Sequence, residues 1–245
     1  MNSALAQTTT PTSALARRAG VSLALAALLA IAGFTALGSV FAYPQILAEP
    51  PADILIAFRT HQSAVMAWFG VLVLGAALMA PAGVWLGRLT GGRLGRAIKV
   101  VGVAAAIVQV AGLQRWLTLV PAISIEAVDP ARHASGVERF SFWHTLLGTA
   151  VGETLGYALT ATFTALLVVS LRRRGLPRWL GAVGFVAAAL IATGVVVPVA
   201  EPASLTNFVG YVLWCGWLLI IAVILIRMPR SAPAVSGSLQ PSPQR

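Results

Sequence analysis

Apolar residues in this sequence are gathered into six long stretches, separated by short segments that carry most of the charges. Each stretch has about the 20 residues that an α-helix needs to cross a bilayer. Apolar and polar positions do not alternate as they would in a half-buried strand. The pattern predicts an all-α polytopic membrane protein, a bundle of six transmembrane helices at residues 21–41, 60–86, 97–120, 140–171, 179–199 and 205–226.

Proline and the terminal segments complete the predicted organisation. Pro81 predicts a kink in the second helix, and Pro121 predicts the end of the third. Residues 1–19 are rich in Ala, Ser and Thr, and residues 228–245 are rich in Pro and Ser. These compositions predict disordered cytoplasmic tails on either side of a six-helix domain at residues 20–227. The first apolar stretch can also be interpreted as a cleavable signal peptide, but it is long enough to span, and we expect it to be retained.

The positions of lysine and arginine predict how the bundle is oriented. Counting from the N-terminus, alternate segments on one side hold 13 of the 17 basic residues, whereas the other side holds Arg59, Arg132 and Arg139. In short loops, positive residues remain on the cytoplasmic side. We therefore expect both termini in the cytoplasm, N-in and C-in. The 13 residues are Arg17, Arg18, Arg88, Arg93, Arg96, Lys99, Arg172, Arg173, Arg174, Arg178, Arg227, Arg230 and Arg245.

Composition excludes several functional classes. The chain is 58% hydrophobic and 10% charged, whereas a soluble domain carries about 25% charged residues. The net charge of +10 lies in short clusters between apolar stretches, which favours binding to anionic lipid headgroups on the cytoplasmic side over binding to nucleic acid. The single cysteine, Cys215, lies in an apolar run and is interpreted as a small buried hydrophobe. No metal-binding motif occurs in the sequence.

Glu153 is the one acidic residue inside a predicted helix. A charged side chain in hydrocarbon costs about 2.5 to 3.5 kcal/mol, so its presence requires a reason. At a rise of about 1.5 Å per residue, Glu153 lies roughly 20 Å into the fourth helix, and Gln109 lies roughly 17 Å from the same end of the third. The two can hydrogen-bond across the helices. Glu153 is then either a protonated group that joins helices or a carboxylate that accepts a proton or binds a cation.

Arg115, beside Gln114, lies roughly 8 Å from the outer end of the predicted third helix. Its side chain can extend to the interface and keep its charge in water. Alternatively it turns inward and neutralises Glu153, or binds an anionic headgroup or substrate. Because arginine does not deprotonate, a buried Arg115 must have a partner.

Histidines open the second and fourth predicted helices, at His61 and His144. Together with Gln62, Arg115 and Asn207 they can line one polar cavity that faces outward. If both rings face the bundle interior at equal depth, the two histidines can instead ligate the iron of a b-type haem. This alternative aside, the sequence predicts no cofactor.

Gly148, Gly152 and Gly156 form a stripe with a spacing of four in the fourth helix. Glycines at this spacing lie on one face and allow a second helix to approach closely, so we interpret the stripe as a packing surface. No GxSxG, HExxH or P-loop signature occurs, which argues against an enzyme without excluding one.

Five segments together resemble a known family. They are YPQIL at 43–47, GLQRW at 112–116, FWHTLLG at 142–148, GETLGY at 152–157 and NFVGYVLW at 207–214. The set is similar to the bacterial membrane-protein family "domain of unknown function 4386", over roughly residues 20–226. The resemblance implies a bacterial integral membrane protein and supplies no activity. Its matching polar positions are Gln114, Arg115, His144, Glu153 and Asn207. We expect a multi-pass protein of the inner (plasma) membrane.

Three functions remain open from the sequence. The first is handling of a small molecule or ion, with Glu153 as a proton-linked group and Arg115 as its counter-charge; a pathway through six helices would require a homo-oligomer. The second is a structural or accessory subunit in which the polar residues specify packing. The third is a membrane redox protein or enzyme that uses His61 and His144.

Overall fold

The structure is a computed structural model that describes residues 11–200 and 202–228. In this part of the chain no strand occurs, and six helices are long and apolar enough to cross a membrane. We number these spans one to six: Thr12–Phe41, Gln62–Thr90, Gly92–Glu126, His133–Arg172, Arg178–Val196 and Ala203–Ile226. The predicted all-α class and the predicted number of spans are confirmed.

Only spans one and six are single helices, Pro11–Phe41 and Ala203–Ile226. Span two joins Gln62–Ala77 to Met79–Thr90, and span five joins Arg178–Ala192 to the 3-10 turn Thr193–Val196. Span three is composed of Gly92–Leu113, Arg115–Thr118 and Val120–Glu126. Span four is composed of His133–Trp143, the π-helix His144–Leu155 and Gly156–Arg172. A 3-10 turn, Gln45–Ala48, and a helix, Pro51–Thr60, connect spans one and two.

The prolines act differently in spans two and three. Span two is interrupted at Leu78, three residues before Pro81, because a proline has no N–H to bond the carbonyl four residues earlier. The interruption thus lies within one turn of the residue at which the kink was predicted. Pro121 does not end span three, because it lies in the first turn of Val120–Glu126, where a backbone N–H has no helical partner to lose.

Spans three and four extend further than their apolar stretches. Span three reaches Glu126 and span four begins at His133, so both helices continue past the predicted span boundaries at 120 and 140. The extra turns contact each other through Arg139, whose Nη1 donates to Glu126 Oε2 at 2.5 Å. Local hydropathy does not indicate a contact between two helix ends that are far apart in the sequence.

Span one begins earlier than predicted. Residues 11–19 are helical, so this part of the predicted disordered tail was wrong. Proline is favourable at a helix start, and the Ala, Leu and Arg residues that follow are strong helix formers. The close approach of span six also stabilises this segment, since a Cβ on Gly20 would lie 2.8 Å from the Ala222 carbonyl oxygen. The rest of the two predicted tails, residues 1–10 and 229–245, lies outside the described residues.

The spans form a closed ring in which each packs against the next and span one packs against span six. Two hydrophobic cores fill opposite ends of the ring. The first core contains Ala16 and Leu225, and we call this end the terminal end. The second core contains Phe41, Trp116 and Phe140, and we call this end the cap end. Both ends of the described chain therefore lie at the terminal end. Cys215 is 7% exposed and belongs to the first core, as predicted.

Candidate functional site

Arg115 is the first residue of the helix Arg115–Thr118 and follows the interruption of span three at Gln114. Its guanidinium turns back along the span, and Nη1 donates to the Gly112 carbonyl oxygen at 2.5 Å. The residue is 4% exposed. The interpretation in which Arg115 extends to the membrane interface is therefore wrong, and the buried alternative is the one that the structure adopts.

Aromatic rings surround one side of the guanidinium. Arg115 Cζ lies 5.3 Å from the centroid of the Trp116 ring, a cation–π arrangement. Trp116 is fully buried and stacks on Phe69, with centroids 4.9 Å apart. Phe41 and Phe140 contact the same indole edge-on, at 5.2 and 6.1 Å. The Arg115 guanidinium thus packs against the aromatic core of the cap end, which carries no negative charge to neutralise it.

The glycine stripe of span four forms the other side. A Cβ on Gly148 would lie 2.6 Å from Arg115 Nη2, and a Cβ on Gly152 would lie 3.0 Å from Gly112 Cα. A Cβ on Gly156 would lie 3.3 Å from Gln109 Cγ. Because these three glycines have no side chains, the backbone of span three can approach that of span four closely, and Arg115 lies in this contact.

A π-helix carries most of span four's contribution to the site. The segment His144–Leu155 contains His144, Glu153, Gly148 and Gly152. Such helices are rare and occur frequently at functional sites, because they displace side chains from the α-helical register.

Five side chains converge here, and we call them the polar cluster: Tyr43, Arg115, His144, Glu153 and Tyr157. Arg115 lies close enough to each of the other four for electrostatic interaction. Arg115 and Glu153 nevertheless do not form an ion pair. The two ion pairs among the described residues, Arg132–Asp129 and Arg139–Glu126, both lie at the cap end.

Three buried nitrogen atoms of this region have no hydrogen-bond partner among the described residues: Arg115 Nε, Trp116 Nε1 and His144 Nδ1. His144 stacks on Phe140, with ring centroids 5.3 Å apart, so its ring lies beside the aromatic core that contacts Arg115. A buried polar group without a partner costs about 1 to 3 kcal/mol, and more when it is charged. The first two atoms are donors and the third is a donor in one tautomer, so this region is suited to an acceptor-rich ligand.

Tyr43 reaches the cluster from the connection after span one. Ala42 turns the chain with a left-handed φ of 49°, and the Tyr43 ring packs edge-on against Phe69 with centroids 5.4 Å apart. Burial raises the pKa of the Tyr43 hydroxyl, the charge of Glu153 raises it further, and Arg115 lowers it. The phenol thus stays protonated and can donate. Sequence reasoning missed Tyr43 and Tyr157 as polar groups, although both lie in segments that carry the family resemblance.

The two glutamines of the predicted site, Gln109 and Gln114, make hydrogen bonds outside the polar cluster. Gln109 Nε2 donates to Thr160 Oγ1 at 2.6 Å, so the expected hydrogen bond to Glu153 is replaced by one that lies further along span four. Gln114 Oε1 accepts from Thr118 Oγ1 at 2.8 Å, one turn away in its own span. Gln109 therefore joins spans three and four, whereas the hydrogen bond of Gln114 stays within span three.

The remaining predicted residues do not share one cavity. His61 is exposed, and with Gln62 it lines a surface depression of about 490 Å³ formed by residues 59–64 and 66. Asn207 is buried and its Nδ2 donates to the Ile191 carbonyl oxygen at 2.8 Å, which joins span six to span five. The haem hypothesis required both histidines inside the bundle, whereas only His144 lies there.

The sequence matches one protein family over residues 18–222, a range that includes every member of the polar cluster. The family is described as "Domain of unknown function (DUF4386)". The chain belongs to this family. A search of the curated proteins and a search of the solved structures each found no match. The description of the DUF4386 family assigns no activity to its members.

Proposed function

We propose that this protein binds a small anionic solute at Arg115 and couples binding to protonation of Glu153. The observation that carries this is a guanidinium that is 4% exposed and has no carboxylate in ion-pair contact. Charged residues inside membrane helices are expensive and typically functional. Arginine keeps its charge, and no carboxylate of the described chain neutralises it through an ion pair. A bound anion supplies that neutralising charge.

The neighbouring carboxylate gives the proton linkage. Glu153 interacts electrostatically with Arg115, so an anion that binds there adds a second negative charge beside Glu153. Repulsion between the anion and the Glu153 carboxylate favours the protonated form of Glu153. Because such coupling is reciprocal, protonation of Glu153 also raises the affinity for the anion. Anion and proton therefore bind together, which is the behaviour of a proton-linked solute-handling membrane protein.

The proposed orientation places the cap end outside. The basic residues of the terminal end favour the cytoplasmic side of a bacterial inner membrane, so the polar cluster is reached from the outer half of the bilayer. The free N–H groups of Arg115 and Trp116 then recognise a carboxylate or phosphate.

Proton uptake in vesicles tests this function. The purified protein is reconstituted with a pH-sensitive dye inside, and a monocarboxylate, a dicarboxylate and inorganic phosphate are applied with an inward proton gradient. We expect at least one anion to accelerate internal acidification, and Arg115→Gln and Glu153→Gln to abolish the acceleration. Glu138→Gln, which removes an exposed acid at the cap end, should retain it. Equal rates in all four proteins would overturn the proposal.

A packing function is the second candidate, and one observation favours it. Arg115 Nη1 donates to the Gly112 carbonyl oxygen, and the guanidinium fills the space beside Gly148. If Arg115 only joins spans three and four, Arg115→Gln should lower the melting temperature, and any loss of activity should accompany that loss of stability. If Arg115 binds a solute, activity is lost while the melting temperature stays.

A further inference from the structure

A depression of about 390 Å³ lies at the terminal end, between the turn that joins spans two and three and the last turn of span four. We call it the basic depression, because every charged residue in its lining is an arginine. The lining consists of Thr90, Gly91, Gly92, Arg93, Leu94, Ser170, Arg173 and Arg174. None of these residues belongs to the polar cluster, so the depression is independent of the function proposed above.

The described chain offers these arginines no counter-charge. Its acidic residues are Glu49, Asp53, Glu126, Asp129, Glu138 and Glu153. All except Glu153 lie in the cap-end connections and extensions, and Glu153 lies within the polar cluster. Three guanidinium groups around one depression repel one another, and an anion between them relieves that repulsion.

Several contacts fix the shape of the depression. Arg174 Nη2 donates to the Leu89 carbonyl oxygen, which joins the end of span four to the end of span two. The hydroxyl oxygens of Thr90 and Ser170 lie 2.7 Å apart and make a second link between these spans. The lining is thus held in place by groups other than the guanidiniums of Arg93 and Arg173.

The turn itself exposes backbone donors. Gly91 and Gly92 have φ values of 71° and 60°, and a Cβ on either would meet nothing within 4 Å, so the backbone conformation and not a lack of space favours glycine here. The 22-residue helix Gly92–Leu113 begins inside the depression without a side-chain cap. Its first N–H groups lack intrahelical acceptors and carry the positive end of the helix dipole.

We propose that the basic depression binds the phosphate group of an anionic membrane lipid. Guanidinium groups bind phosphate oxygens in bidentate pairs, and uncapped helix starts bind the same group. The lining lies at the ends of spans two, three and four, the level at which headgroups lie. Basic pockets between transmembrane helices on the cytoplasmic side bind phospholipid headgroups.

The surface of span three favours a lipid over a soluble phosphate. Arg93, Val100 and Ile107 are spaced seven residues apart and therefore lie along one face of the helix. Val100 is 65% exposed and Ile107 is 63% exposed. An acyl chain can lie on this apolar face while its phosphate remains between Arg93 and Arg173.

The test compares two variants with the same loss of charge. Arg93→Gln/Arg173→Gln removes two lining guanidiniums that make no side-chain hydrogen bond in the described chain. Arg96→Gln/Arg178→Gln removes two exposed arginines outside the lining. Each purified protein is titrated with phosphatidylglycerol, with zwitterionic phosphatidylcholine and with inorganic phosphate, and the bound lipid is counted by native mass spectrometry.

We expect the wild type and Arg96→Gln/Arg178→Gln to retain phosphatidylglycerol with similar affinity. Arg93→Gln/Arg173→Gln should bind it about tenfold more weakly or worse, the effect of losing about 1.4 kcal/mol. Equal loss in both variants would show a general charge effect and overturn the site. Competition by inorganic phosphate at the affinity of the lipid, or equal retention of phosphatidylcholine, would overturn the assignment to an anionic lipid.

Discussion

A guanidinium keeps its charge at every physiological pH, so Arg115 carries a full positive charge where it is 4% exposed. The cation–π contact with Trp116 and the hydrogen bond to Gly112 hold it in place but do not neutralise it. Removing one partner of a buried ion pair is strongly destabilising, whereas replacing the whole pair by apolar groups is often neutral or stabilising. We expect Arg115 to follow the second case, because no ion pair is broken when it is replaced.

We predict that Arg115→Met does not destabilise the solute-free protein. The free energy of unfolding should stay the same or rise by about 1 to 4 kcal/mol, because an unneutralised charge leaves the core. Thermal unfolding in detergent measures this. Arg139→Met is the control, since it breaks an exposed ion pair with Glu126 worth about 0 to 1 kcal/mol. A fall of 3 kcal/mol or more for Arg115→Met would show that the guanidinium stabilises the fold.

The sequence identified part of this site and missed part, for physical reasons. Arg115 and Glu153 stood out because charge in an apolar stretch is expensive. Whether Arg115 turned inward depended on the interruption at Gln114 and on Gly148, which no local pattern encodes. Tyr43 was missed because a tyrosine after a helix end is the usual interface residue. Gln109 was paired with the wrong residue because depth alone does not distinguish Glu153 from the hydroxyl of Thr160.

At the level of elements, the contact between spans three and four determines where the site lies. The sequence predicted the glycine stripe of span four. Its partner in span three, Gly112, is not part of a similar stripe, so the sequence did not identify it. The π-helix His144–Leu155 was also not predicted, because a π-helix and an α-helix of the same composition have the same hydropathy. The prolongation of span four to His133 was missed for a related reason, since its first turns are polar.

We predict that Gly112→Ala destabilises the protein. The added Cβ would lie 2.5 Å from Gly152 Cα, a backbone atom that cannot move without separating the spans. Overpacking of this kind costs about 1 to 3 kcal/mol. Gly216→Ala in span six is the matched control, because its Cβ would meet nothing within 4 Å and alanine favours the helix. Thermal unfolding should separate the two variants, and a Gly112→Ala protein as stable as Gly216→Ala would contradict the contact.

We predict faster amide hydrogen exchange in the π-helix than in the α-helix that follows it. His144–Leu155 contains one buried residue, Gly148, whereas Gly156–Arg172 contains nine. Segments with few buried contacts open more readily. Exchange measured by mass spectrometry in detergent checks this, and equal protection of the two segments would contradict it.

At the level of the whole molecule, the ring has two cores and a strong charge asymmetry. Hydropathy and the positions of lysine and arginine predicted the number of spans and the end at which the basic residues lie. They did not predict the second core at the cap end, because that core joins residues of spans one to four to the helix Pro51–Thr60, which is too short to be recognised as a span.

We predict opposite labelling from the two sides of the membrane. Because Cys215 is the one cysteine of the sequence, a Cys215→Ser background accepts single new cysteines. Ala131→Cys at the cap end and Arg178→Cys at the terminal end replace exposed residues. An impermeant maleimide applied to intact cells should label Ala131→Cys, and should label Arg178→Cys only after lysis. The reverse pattern would contradict the proposed orientation.

Binding of an anion at Arg115 is the central claim, and its most direct test is the melting temperature of the purified protein with small carboxylates and phosphate at acidic and neutral pH. A ligand at about 100 times its dissociation constant stabilises a protein by about 2.7 kcal/mol. We expect at least one anion to raise the melting temperature of the wild type, more strongly at acidic pH because protonated Glu153 favours the bound anion. The same anion should have no effect on Arg115→Met. Identical responses of the two proteins to every anion, at both pH values, would contradict the account.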